Sequence, residues 1–137
     1  MFEKLTAFLP KLKEAQYGEW VVDRENDGSL EHHIQFPYVD YSQNVDKFEK
    51  AVYRFADVHQ EMGLHRYGDI LDRANIEWDF ESMSSVVVSE LDGKTVMALI
   101  IGAIRAERFC DGALLDFFEN GRIIKWLSRL QQIDEQE

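Results

Sequence analysis

The sequence predicts a mostly helical α+β fold: a compact set of helices around one central apolar helix at about residues 90–108, with one small antiparallel β-hairpin at about 18–36. Three observations carry that prediction. Five segments repeat apolar residues at intervals of three and four, the period of a single helix face. One pair of runs alternates apolar and polar residues instead, as half-buried strands do. The run from Val96 to Ile104 is apolar on every side, which marks a helix enclosed by others. A chain of 137 residues sets one domain, 1–137, as the expected organisation, and no internal repeat, linker or low-complexity stretch divides it.

Each element follows from local chemistry. Phe2, Leu5, Leu9 and Leu12 form an apolar stripe that Pro10 interrupts, so a break is expected between Ala7 and Leu9. Gly18 to Asp23 alternates and is rich in strand formers. Leu30 to Phe36 is its expected partner, with Asn26-Asp27-Gly28 in the turn and Pro37 ending the second strand. Ser42 or Asn44 can cap a helix carrying Val45, Phe48, Val52, Phe55, His59 and Met62 on one face, and Gly63 stops it. Tyr67, Ile70, Leu71 and Ala74 describe a shorter helix closed by Asn75 in a left-handed conformation. Val86 to Val88 reads as a buried connection. Ser89-Glu90-Leu91-Asp92 resembles a capping box that opens the central helix. Asp111 can cap the next helix, through Leu114, Leu115, Phe117 and Phe118. Asn120-Gly121 closes it, and Ile123, Ile124, Trp126, Leu127 and Leu130 define the last one, with Asp134 to Glu137 as a frayed acidic tail.

Charge and cysteine content exclude whole classes of function. Fifteen Lys and Arg against 26 Asp and Glu leave a net charge of −11, which repels phosphate backbones and anionic lipid at long range. Direct nucleic-acid binding is therefore not expected. Cys110 is the sole cysteine, so a Cys-based zinc motif is absent and a reducing, cytoplasmic compartment fits best. The longest apolar run is about half the ~20 residues a bilayer span requires, and the N-terminal segment lacks the pattern of a secretory signal.

A resemblance appears in the C-terminal third, in Ile104-Arg105-Ala106-Glu107-Arg108-Phe109-Cys110-Asp111-Gly112, then Phe118-Glu119-Asn120-Gly121 and Lys125-Trp126-Leu127. Together with Gly18-Glu19-Trp20, Arg66-Tyr67-Gly68 and Ile76-Glu77-Trp78, these residues resemble a small bacterial domain family of unknown function. The resemblance implies a bacterial or phage protein of the cytoplasm and carries over no catalytic residue.

Arg105 and Arg108, three apart on one helix, share a face that Asp111 continues if the helix extends so far. Two guanidiniums there can grip a carboxylate or phosphate. Alternatively they bond helix-end carbonyls and pair with Glu107, Asp111 or Glu119, and a helix C-terminus attracts arginine without any ligand, which favours this structural network. His32, His33, His59 and His65 supply no pair at metal-ligand spacing, so neither metal nor cofactor is expected. Cys110 reads as a small buried residue between two helices. No nucleophile elbow, phosphate-binding loop or dinucleotide fingerprint occurs.

The leading expectation is thus a noncatalytic protein-binding or accessory module, docking a protein partner or a second copy through Trp20, Tyr38, Tyr41 and Trp78. Two alternatives stand beside it. One is a binder of, or an enzyme on, a small anionic or nucleotide-type ligand held by Arg105 and Arg108. The other is an acidic mimic of nucleic acid that inhibits a host enzyme.

Overall fold

A computed structural model describes residues 1–14, 16–22 and 37–136. Its architecture is mostly α with one two-stranded antiparallel ribbon. The apolar stripe at the start is divided as its proline requires. Helix α1 (Glu3–Thr6) stops and α2 (Leu9–Glu14) begins, with Pro10 in the first turn of α2 where its missing N–H breaks no helical bond. Phe2, Leu5, Leu9 and Leu12 are all buried.

Strand β1 (Gly18–Val21) lies where alternation placed it, but its partner is β2 (Tyr38–Tyr41). Leu30 to Phe36, the partner expected from sequence, lies outside the described residues. Pro37 comes before the pairing strand instead of ending it, a position that asks no ladder donor of the proline. The register sets Gly18 opposite Tyr41 and Trp20 opposite Val39. Opposed residues share a face, so Trp20, Val39 and Tyr41 look one way while Glu19, Val21, Tyr38 and Asp40 look the other.

Helix α3 (Gln43–Val58) is capped by Ser42, whose Oγ accepts the Val45 N–H at 3.3 Å. Its regular turns end before Gly63, and a 3₁₀ turn at Gln60–Met62 carries the chain to that glycine, whose φ of 63° reverses it. A second 3₁₀ turn (Leu64–Arg66) leads into α4 (Tyr67–Arg73), and Asn75, at φ 60°, takes the left-handed conformation expected of it. Helix α5 (Phe80–Ser84) escaped the periodicity because it is barely more than one turn. Its start is chemical: Asp79 Oδ1 accepts the Ser82 N–H at 2.7 Å. Val86 to Val88 is a connection running into a 3₁₀ turn at Val88–Glu90, but it is not buried throughout as expected: Val88 is buried and Val87 is 60% exposed.

The central helix α6 spans Gly93–Ala106 and is shorter at both ends than the sequence suggested. Its cap is Asp92, which accepts the Thr95 N–H at 2.9 Å, and not Ser89. Every residue from Val96 to Ile104 is buried, and the helix packs against α4, α7 (Ala113–Glu119) and α8 (Arg122–Gln136). Within it, Gly102 leaves room for Trp78, whose indole N–H donates to the Gly102 carbonyl at 2.9 Å. Asp134 and Glu135, expected to begin a frayed tail, lie within α8. Asp134 accepts the Phe2 N–H at 2.8 Å and so ties the two ends of the described chain together. Among the described residues no helix is long and apolar enough to cross a membrane.

Candidate functional site

Where α6 ends, Arg105 lines a cleft of about 430 Å³ between α3 and α4. Tyr53 and Asp57, one turn apart on α3, line it from one side, Tyr67 from the head of α4, and Gln60 and His65 from the two 3₁₀ turns. Ala56, Leu64 and Ile101 supply its apolar surface. The neighbouring hydroxyls of Tyr53, and then of Tyr67, hold the pKa of the guanidinium above the ordinary arginine value, against the opposing effect of burial. Arg105 forms no ion pair among the described residues, although Asp57 lines the same cleft.

Arg108 and Asp111 do not line this cleft. Helix α6 stops at Ala106, so the helical spacing that would have put both arginines on one face is interrupted. Arg108 and Asp111 are exposed in the turns that follow, and the Arg108 N–H donates to the Arg105 carbonyl at 3.1 Å. The expected network of arginines with Glu107, Asp111 or Glu119 is not formed among the described residues. Glu107 has a different role. Its carboxylate accepts the N–H groups of Gly112 and Leu114 at 2.9 and 3.0 Å, and the Tyr41 hydroxyl at 2.6 Å. Glu107 thereby caps α7, a task the sequence had suggested for Asp111. Gly112, at φ 89°, makes the sharp entry.

The four aromatic interface candidates do not share one surface, although Trp20 and Tyr41 lie on the same face of the ribbon. Trp20 and Tyr38 stand on opposite faces of the ribbon, and Trp20 lies over Gly112, where a Cβ would collide with its indole. Tyr41 is half-buried and held in the Glu107 cap. Trp78 packs edge-on to Tyr67 at 5.7 Å and to Phe109 at 5.5 Å, and Phe109 is 78% exposed. Cys110, read from sequence as buried, is exposed beside a shallow cleft of about 270 Å³ between Trp78, Phe80 and Phe117. Cys110 does lie between α6 and α7, but in the turns that join them, where it is exposed instead of packed.

Of the histidines, His32 and His33 lie outside the described residues. The His59 ring packs at a tilt against Phe55, with centroids 4.3 Å apart, and its Nδ1 lies 3.1 Å from Glu61 Oε1. Among the described residues no three His, Cys, Asp or Glu side chains gather as metal ligands would. Tyr53, Asp57 and Tyr67 are cleft residues that sequence reasoning did not assign to a ligand site, and His65 entered it only as a metal-ligand candidate. Tyr53 and Asp57 carried a faint signal, a turn-spaced pair just off the apolar stripe of α3.

A family model described as a family of unknown function (DUF6508) matches residues 1–136. No curated protein and no solved structure matches the chain.

Proposed function

Because the chain belongs to that family of unknown function, its role has to be read from its own side chains, and we propose that it binds a small anionic ligand in the Arg105 cleft. One observation carries the reading: a guanidinium at the end of the most buried helix faces a cleft of about 430 Å³ without a carboxylate partner among the described residues. That volume falls within the range of small-molecule sites, which are mostly apolar with a few convergent polar groups. Arg105 would supply charge and a planar donor fork, and Tyr53 and Tyr67 would flank it and fix its direction. Asp57 in the same cleft favours a ligand that also carries a hydrogen-bond donor, and disfavours one with several negative charges.

A thermal-shift series with phosphate, benzoate, citrate and adenosine monophosphate tests the reading. Ligand binding to the folded state raises the melting temperature through linkage alone. At least one of these anions is expected to stabilise the wild-type protein and to leave Arg105→Gln unmoved. Equal shifts in the two proteins, or none in the wild type, would remove the cleft from consideration.

A second reading keeps a docking role for Trp78, favoured by the 78% exposure of Phe109 at its edge. Large exposed rings in contact are frequent anchors of protein interfaces. Under that reading Phe109→Ser weakens association with a protein partner and leaves the anion shifts intact.

A further inference from the structure

Helix α3 has another face, turned toward α1, that carries the charge the chain as a whole lacks. Lys47, Lys50 and Arg54 follow one another at intervals of three and four, a row about 10 Å long at 1.5 Å rise per residue. Together with Lys4 of α1 they line a groove of about 490 Å³ based on Phe8, Ala51 and Phe55, with Val58, 69% exposed, at one end. None of the four cations forms an ion pair among the described residues. Among the described residues, the one carboxylate lining the groove, Glu3, is 2.7 Å from the Met1 ammonium.

This concentration of positive charge lies in a chain with 26 acidic residues and a net charge of −11. Asp46 and Asp57 lie one turn from Lys50 and Arg54 on the same helix, but neither forms an ion pair with them among the described residues, so the row keeps its charge available to an incoming partner of opposite charge. The shape of the groove selects the form of that charge. A single carboxylate headgroup needs donors that converge on a point, whereas a row of cations matches several carboxylates in sequence. An apolar base between the cations suits aliphatic side chains. A flat anionic bilayer does not enter a concave groove, and the chain's overall charge opposes a nucleic-acid backbone. We infer that the α1–α3 groove docks an acidic amphipathic segment of a partner protein, its carboxylates on Lys47, Lys50 and Arg54 and its aliphatic side chains on Phe8, Phe55 and Val58.

Fluorescence anisotropy of the full chain with a fluorescein-labelled peptide of two Glu-Leu-Glu-Glu-Leu-Leu-Glu repeats tests this. The wild type should bind it saturably and lose affinity as salt rises. Lys50→Glu with Arg54→Glu should weaken binding about tenfold or more, because both charges then repel the peptide. Arg73→Glu with Lys125→Glu, which changes net charge equally at exposed positions elsewhere, should not. Val58→Asp, at an exposed position outside the cation row, should also weaken binding and serves if the double variant does not fold. The inference is overturned if the wild type does not bind the peptide, or if both double variants lose equally. Equal binding of a Ser-for-Leu peptide, or tighter binding of oligo(dT), would overturn it as well.

Discussion

The Tyr41 hydroxyl donates to Glu107 Oε1 at 2.6 Å and accepts the Leu115 N–H at 3.0 Å, so the last residue of the β-ribbon helps to cap a helix 74 residues further along the chain. The first N–H groups of α7 are part-buried and have no intrahelical partner, and Glu107 and Tyr41 supply the acceptors from outside the helix. Burial, followed by the adjacent Glu107, holds the phenol well above its ordinary pKa, which keeps it a neutral donor.

Tyr41→Phe should therefore cost about 1–3 kcal/mol, since it strands one N–H and removes one donor from a part-buried carboxylate. Glu107→Ala should cost more, on the order of 3 kcal/mol, because three donors lose their acceptor. Urea unfolding of both variants and of the double variant measures the coupling. Losses below about 0.5 kcal/mol would mean that water replaces the cap without penalty.

Gly112 and Gly63 both have positive φ, but only Gly112 has a ring against it. Replacing Gly63 by Ala should cost about 1 kcal/mol, the backbone term alone. Gly112→Ala should cost clearly more, and adding Trp20→Ala should recover the excess, because that excess comes from the collision of Cβ with the indole. Melting temperatures of the three variants decide it.

Burial raises the Glu49 carboxyl to about 7, with Asp46 and Glu107 adding to the effect. Between the ordinary value of 4.5 and 7 the folded chain keeps a proton that the unfolded chain releases, so this group's contribution falls as pH rises through that window. The loss by pH ~8 is on the order of 2 kcal/mol once the group's partial exposure is discounted. Glu49→Gln should show a flatter decline between pH ~5 and ~8 than the wild type and should be the more stable protein at the upper end. Parallel profiles would show that Glu49 titrates normally.

Leu99 is fully buried in the middle of α6. Its replacement by Ala should lower unfolding free energy by about 2–5 kcal/mol, the range for truncation in a close-packed core. A loss near that of a surface substitution, ~0.5 kcal/mol, would contradict the placement of α6 at the centre.

The helices were legible wherever burial imposes a period. Val45, Phe48, Val52 and Phe55 mark α3, and the unbroken apolar run marks α6, because both must exclude water along a defined face. Ends were harder, since they depend on which of several nearby polar residues wins the cap. Asp92 prevailed over Ser89, and Glu107 capped α7 in place of Asp111. The strand partner of β1 was misplaced because the pairing depends on contacts beyond Pro37, where the short run Tyr38–Tyr41 has little periodicity to read. The cleft was half legible. Arg105 stood out beside the central helix, but Tyr53 and Tyr67 come from two other helices, and no local spacing announces a tertiary meeting.

The cleft itself is tested most directly by nuclear magnetic resonance, following the Arg105 side-chain Nε–H and the backbone amides while phosphate or benzoate is titrated into the wild-type protein. Binding in the cleft predicts saturable shifts at Arg105, Tyr53, Asp57 and Tyr67, and their disappearance in Arg105→Gln. Saturable shifts confined to other surfaces, or an Arg105 Nε–H that does not move up to saturation with either anion, would contradict the assignment of the cleft as an anion site.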